Sequence, residues 1–332
     1  DISYYGNTID QETWSGLLEA EHNGRAGLMH DKEWMKRNIQ GAIKAIQDFS
    51  PTVVVHGILA EAAVASQILH VPNFLYGPIP LWDHEWMESV LCRDVPDAQA
   101  TWLTDFLPLR IRQRLMHVLF HQRVKARTAI MDAATECHWR PTEPPSSIFR
   151  SDYYLPTDLG SNYEDKFKLG ANIKFVGPMY RKTRQITAEE EESVQEFLSL
   201  DVARKLFVTM GSSGAKEYFI EAVKAIIELG IPAFVALAPG RCSIKDIESA
   251  IGAVPHHVFL TEKFVPADIV ASQVNVVVSH GGQGTVQTAL GSGTPIVGVG
   301  MQWEQQFNLD NAARQGAAVR IDRRKWNSYS IQ

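Results

Sequence analysis

Three cysteines in 332 residues, Cys92, Cys137 and Cys242, are too few and too scattered to staple a fold. Their number is odd and no CxxC or metal-ligand spacing occurs, so neither a disulfide framework nor a thiolate metal site is expected. Free thiols in a reducing, cytoplasmic compartment fit that pattern. Long hydrophobic runs are missing too. No stretch approaches the roughly 18 consecutive apolar residues that span a bilayer, which argues against stable membrane insertion. Dense Lys/Arg blocks are absent, and 32 basic against 38 acidic residues leave a formal charge of −6, so nucleic acid is a poor candidate partner. No Gly-X-Y, heptad or solenoid repeat is found. A signal peptide is lacking, and Asp1 stands where a start Met would, so a longer native N-terminus is expected. Nothing in the sequence sets an oligomeric state.

What is present is the composition of a globular protein, 45% hydrophobic and 21% charged. The length favours two domains. Apolar positions Trp34, Met35, Ile39, Ile43 and Ile46 mark one face of a helix over 32–49. Pro51–His56 is a β-branched run that reads as a buried parallel strand. The Ala-rich segment 60–69 reads as a helix and Val71–Tyr76 as a second strand, which completes a βαβ unit. A loop rich in Pro and Trp follows over 77–100, then a long amphipathic stretch over 102–137 and a short strand at 152–156. The character breaks at Val176-Gly-Pro178. Beyond it Glu189–Glu192 opens a helix, and the alternation restarts. Strands are expected at 205–210, 232–237, 257–264, 274–279, 295–299 and 317–321, with helices at 215–229, 282–290 and 304–315.

Chemistry concentrates in Val276-Val-Val-Ser-His280-Gly281-Gly282-Gln283-Gly284-Thr285. An apolar strand ends in His280, and three glycines lead into a helix. Glycines let backbone N–H groups approach an oxyanion, and a helix N-terminus carries about half a positive charge. In an open parallel sheet such a loop lies at the carboxyl ends of the strands, where ligands bind. The pattern is neither the GxxxxGK[ST] phosphate loop nor a first-strand dinucleotide fingerprint. By itself it fits an anion cradle and a tight βα turn with a buried His equally well.

Its surroundings decide between them. Phe264-Val-Pro266 lies upstream, and Gly293-Thr-Pro295 and Trp303-Glu-Gln-Gln-Phe-Asn308 lie downstream. Thr209-Met-Gly-Ser-Ser213 ends the first strand of the second half. In this order the segments resemble the donor-binding signature of the UDP-glycosyltransferase family, inverting enzymes of GT-B architecture. The resemblance is strong over 264–311 and looser before Gly177. It implies an α/β chain of two Rossmann-like, doubly wound domains facing each other across a cleft. Residues 1–178 would be the acceptor-side domain, lacking its first βα unit. Residues 179–332 would be the donor-binding domain, lacking its terminal helices.

The resemblance also implies roles. Phe264 would stack on the nucleobase and Val265 backbone groups would bond its edge. His280, with Gly282, Gly284 and Thr285, would hold the diphosphate, helped by Ser212 and Ser213. Glu304 and Gln305 would bond the sugar hydroxyls, and Asn308 would be structural or touch phosphate. Trp82, His84, Trp86 and Trp102 would line a pocket for a hydrophobic acceptor. No metal and no cofactor beyond the nucleotide-sugar co-substrate is implied. The reaction would move a hexose to a small hydrophobic acceptor hydroxyl with inversion. Alternatives are a glycolipid-forming transferase at a membrane surface, a nucleotide-sugar epimerase, and a non-catalytic nucleotide-sugar-binding protein.

Departures from the family pattern sharpen these expectations. The general-base His is expected before Asp1, and Gly57 stands where the carboxylate orienting it is usual, which leaves His56 and Glu61 as weak catalytic candidates. Thr288 occupies the place of the acidic residue that holds the nucleotide ribose, and Ala267 that of a Gln. UDP-sugar is therefore the default donor and TDP-sugar its competitor.

Overall fold

The computed structural model describes residues 31–57, 59–78, 102–108, 110–112, 114–115, 118, 129–140, 150–159, 170–179, 188–211, 214–238 and 240–332. The chain separates into two compact units, one of residues 1–95 and 99–178, the other of residues 96–98 and 179–332. No described helix is long and apolar enough to cross a membrane.

The first unit holds a parallel three-stranded sheet of β1 (Val54–His56), β2 (Asn73–Gly77) and β3 (Tyr153–Pro156), in that order. Helix α1 (Lys32–Phe49) is capped by Asp31, whose carboxylate accepts from the Trp34 N–H at 2.9 Å, and it buries Met35, Ile39 and Ile46. Met35 and Ile39 form a core with Val64 of α2 (Ala60–Leu69) and with Ile130 and Ala133 of the later helix Ala129–Glu136. The three-valine run before His56 does not make a strand buried on both faces. Val55 is 57% exposed, while its neighbour His56 is buried, so only one face of β1 is covered. Of the long amphipathic stretch, the described residues include the short helix α3 (Trp102–Asp105) and α4 (Ala129–Glu136).

Burial raises the Glu61 carboxyl in the first turn of α2 above its ordinary value, against the pull of its own backbone N–H and of His56. The folded state thus holds this proton more tightly than the unfolded chain does. Stability is lost as pH rises from the unfolded value of 4.5 through the raised one, and the loss persists above it. Glu61→Gln should therefore melt a few degrees higher than wild type at pH 7–8, with the gap closing below about pH 4.5. A gap independent of pH would show that the charge is not what burial penalises.

The second unit is a six-stranded, all-parallel sheet. Its strands are β4 (Leu206–Thr209), β5 (Ala233–Ala236), β6 (Val258–Thr261), β7 (Val276–Ser279), β8 (Ile296–Gly298) and β9 (Ala318–Arg320). Their spatial order is β6-β5-β4-β7-β8-β9. The chain winds outward from β4 to β6, crosses back, and winds the other way from β7 to β9. The reversal falls between β4 and β7, paired from Leu206↔Val276 to Thr209↔Ser279. Ligands of open parallel sheets bind at such a switch point, at the carboxyl ends of the strands.

Both faces of this sheet are covered, so its strands read as continuous apolar runs. Phe207 points into one cluster with Phe197, Phe234, Val277 and Leu309. Val208, its neighbour, points into the other with Phe219, Val223, Val235 and Trp326. Each fully buried side chain of this size is worth about 1.5–3 kcal/mol. Helices α5 (Ala188–Leu198), α6 (Lys216–Leu229), α9 (Gln283–Gly291) and α10 (Trp303–Arg314) match the expected segments within a few residues. The helices α7 (Ile244–Ile251), α8 (Ala267–Ala271) and α11 (Ser328–Ile331) were not anticipated by periodicity. The first of them carries a capping box, Ser243 Oγ accepting from the Asp246 N–H and Asp246 accepting from the Ser243 N–H, which is itself a legible signal.

Candidate donor-binding site

Strand β7 ends at Ser279, and His280 begins the loop at the switch point. The His280 ring is only 5% exposed. It fills space that side chains on two glycines would otherwise take. A Cβ on Gly211, just beyond β4, would stand 2.6 Å from His280 Cε1, and one on Gly282 would stand 2.5 Å from Nε2. Glycine at both positions is therefore a condition for seating the imidazole between β4 and β7. Gly282 is also the N-cap of α9 and offers no side chain to the first-turn amides. At Gly284 nothing lies within 4 Å of the site a Cβ would occupy. The opening turn of α9 thus presents uncapped N–H groups beside an imidazole, the composition of an anion cradle.

A second layer fixes this loop. The Gly281 N–H donates to Ser279 Oγ at 3.2 Å, and its carbonyl accepts from Asn308 Nδ2 at 3.0 Å. Asn308 Nδ2 also donates to Glu304 Oε1 at 2.5 Å, which ties the first turns of α10 to the loop after β7. Asn308 is buried and Glu304 half-buried. Gln305 is 2% exposed. Its Oε1 accepts from the Met301 and Gln302 N–H groups at 3.0 and 3.2 Å, and its Nε2 donates to Gln302 Oε1 at 2.9 Å. The Gln305 amide thus shapes the loop that opens α10, and a bond to a sugar hydroxyl would require it to leave those partners.

The remaining sequence candidates divide three ways. Phe264 is 50% exposed on the loop after β6, so it is no core aromatic, and Val265 beside it is buried in a core cluster. Thr285 is half-buried in the first turn of α9. Thr288, which stands in the place of the ribose-binding acid, is buried and donates its hydroxyl to the Gly284 carbonyl of its own helix at 2.7 Å. Ser212, Ser213, Trp82, His84 and Trp86 lie outside the described residues, and of Trp102 the backbone alone is described.

In the first unit, His56 is buried with Nδ1 2.7 Å from the Gly57 carbonyl and Nε2 3.3 Å from Asn73 Oδ1 and 3.4 Å from Ser151 Oγ. The carbonyl can only accept, so Nδ1 carries a proton and donates it, and the ring is held as a structural residue. Glu61 lies at the carboxyl end of β1, half-buried. A cavity of about 590 Å³, lined among others by Gln67, His70, Trp139 and Arg150, opens at the other end of this sheet, before β2 and β3. Among the described residues no group of three or more His, Cys, Asp or Glu is placed to hold a metal ion.

No family model matches the chain. Among curated proteins it is 26% identical over 318 residues to a PGL/p-HBAD biosynthesis glycosyltransferase of Mycobacterium tuberculosis, a match covering 92% of this chain and 67% of the relative. To a PGL/p-HBAD biosynthesis rhamnosyltransferase of Mycobacterium bovis it is 29% identical over 339 residues, covering 98% of this chain and 67% of the relative. The chain thus spans about two thirds of the length of these relatives. Among solved structures it is similar to the glycosyltransferase VinC in complex with DTDP, with a TM-score of 0.59 at 13% identity, over 98% of this chain and 73% of that one. Homology to named glycosyltransferases and the shared fold make the chain a transferase enzyme with the GT-B fold, and its His-Gly-Gly-x-Gly-Thr loop at a switch point is consistent with a UDP-glycosyltransferase-like family.

Proposed function

We propose that the chain binds a nucleotide-diphosphate sugar at the carboxyl ends of β4 and β7 and transfers the hexose, with inversion, to a hydroxyl of a small hydrophobic acceptor. The observation that carries this is the His280 imidazole seated between Gly211 and Gly282 beside the uncapped N-terminus of α9. In this reading the imidazole N–H and the α9 amides hold the diphosphate. They are fixed in advance by the Ser279, Gly281 and Asn308 bonds, so they meet the charge that develops on the leaving diphosphate without reorganising. Glu304 faces the sugar, Phe264 takes the nucleobase, and Ser212 and Ser213 assist at the phosphates. The acceptor must lose its proton as it attacks, a task that a positioned base accelerates by about 10²–10⁴-fold.

UDP is the default nucleotide and TDP its competitor, with the VinC complex supporting the latter. The rhamnosyltransferase relative supports a deoxyhexose as the sugar moved. The PGL/p-HBAD names of the relatives favour a second reading, glycolipid formation at a membrane surface. A cytoplasmic setting belongs to both. Calorimetric titration with UDP and TDP tests the site. Binding at or below millimolar concentration is expected, weakened about tenfold in His280→Ala by the loss of one hydrogen bond. Absence of binding by either nucleotide would remove the proposal. Nucleotide binding without transfer to any acceptor would favour a non-catalytic binding protein.

A further inference from the structure

We propose that residues 103–118 of the first unit dock the protein on an anionic lipid surface, an inference that rests for its purpose on the second reading above, glycolipid formation at a membrane. After α3 the chain restarts as a helix at Pro108, whose carbonyl accepts from the Ile111 and Arg112 N–H groups at 2.8 and 3.1 Å. Residues 110–112, 114–115 and 118 are helical. Ile111, Leu115 and Val118 stand at the i, i+4, i+7 spacing of a single helix face, and all three are exposed. A helix that serves a core turns such a stripe inward. Leu103 is exposed on the same stretch, and Phe106 is 79% exposed. Single exposed apolar side chains are ordinary, whereas a row of them along one helix face marks an interaction surface.

Charge selects the partner. Arg110 and Arg114, one turn apart and both exposed, run along the flank of the apolar stripe. Between Phe106 and Met131 the sequence carries six basic residues and no acidic one, in a chain whose formal charge is −6. A second copy would bring the same cationic face, and like charges would oppose the contact. A nucleic acid would meet the arginines and leave the apolar stripe in water. A bilayer with anionic headgroups satisfies both: the apolar side chains enter the boundary of the acyl chains, and the arginine stems carry their guanidinium groups out to the phosphates. No described helix is long and apolar enough to cross a membrane, so this one would lie on the surface.

The test sediments the full chain with sucrose-loaded vesicles of phosphatidylcholine, and of phosphatidylcholine mixed with an equal amount of phosphatidylglycerol. Wild type should partition onto the mixed vesicles well above the neutral ones, and the excess should fade as salt is raised. An arginine beside an anionic surface strengthens partitioning by about fivefold, so Arg110→Gln with Arg114→Gln should lose about 10–30-fold on the mixed vesicles. Ile111→Ser with Val118→Ser should lose about tenfold or more at every salt concentration, because buried apolar area is not screened. These four side chains are exposed, so melting temperatures should match wild type; should the serine pair melt lower, the arginine pair carries the test. No excess on mixed vesicles, or variants that sediment like wild type, would overturn the surface. So would a solution dimer that the serine pair dissociates while vesicle binding stays, since the stripe would then belong to a second copy. Transfer from UDP-glucose or TDP-rhamnose to a long-chain alkyl phenol in neutral detergent micelles separates this surface from the reading behind it. Transfer without vesicle binding overturns the surface and keeps glycolipid formation, whereas vesicle binding without such transfer keeps the surface and removes that reading.

Discussion

Gly282→Ala is expected to leave the protein folded and to cost it nucleotide-diphosphate affinity on the order of a hundredfold. The backbone at Gly282 has φ −58 and ψ 138, angles that alanine adopts without strain. The added methyl meets a side chain: it would stand 2.5 Å from His280 Nε2 and 2.8 Å from Cε1. Gly211 packs against the same Cε1–Nε2 edge of the ring, where a Cβ would be 2.6 Å from Cε1, so the ring has little room to shift within the slot. It must rotate out of the gap between β4 and β7. That removes the imidazole N–H from the cradle and puts a methyl group where a phosphate would approach the α9 amides. Circular dichroism and thermal melting should differ little from wild type, while calorimetry with UDP or TDP shows the loss. Full affinity in a well-folded Gly282→Ala would mean that the imidazole takes no part in holding the diphosphate.

The second unit was legible in the sequence because its physics is local. Strands buried on both faces, such as Leu206–Thr209 and Val276–Ser279, are apolar at every position but the last, and the segments between them alternate with helical spacing. The helix Ile244–Ile251 escaped because it spans only two turns, too few for periodicity to register, although Ser243 and Asp246 announce it. The first strand was misread for a different reason. Val53, Val54 and Val55 have the composition of a buried strand, yet burial depends on what covers each face, and Val55 stays exposed. A sequence window carries no information about that.

The donor loop shows the same division. His280 and its glycines were readable because backbone approach to an anion and a tight strand–helix turn both demand residues without side chains. What could not be read is who holds whom. Gly211 lies one strand away in space and far upstream in sequence, and only the parallel pairing of β4 with β7 brings it against the imidazole. Gln305 sits in the motif expected to touch sugar, but its amide is spent on Met301 and Gln302. Thr288 offered a hydroxyl, and helix geometry turns that hydroxyl onto the Gly284 carbonyl. Residue type tells what a group can do, and the strand register decides which groups meet.

One position away from Gly282, Gly281→Ala should have the opposite outcome and cost the second unit its stability, by about 3–5 kcal/mol. Gly281 has φ +83, in the left-handed region that alanine enters at a cost of about 1–2 kcal/mol. A Cβ there would stand 2.6 Å from the Gln305 backbone oxygen and 2.7 Å from Leu309 Cγ and Cδ1. Neither neighbour can yield cheaply. The Gln305 oxygen belongs to the backbone of α10, and Leu309 is fully buried in the core cluster with Phe207 and Val277. Relief would require α10 to lift from the sheet, breaking the Asn308 bond to the Gly281 carbonyl and emptying the Leu309 site. Denaturant unfolding should show the second unit's midpoint sharply lowered, with a melting temperature down by on the order of 10 °C or more. Nucleotide affinity is then lost only in proportion to the unfolded fraction, whereas in Gly282→Ala it is lost from a folded protein. If Gly281→Ala proved as stable as wild type, α10 would not be seated on this loop as closely as the distances require. The fixed positions of Glu304 and Asn308, which depend on that seat, would lose their physical basis.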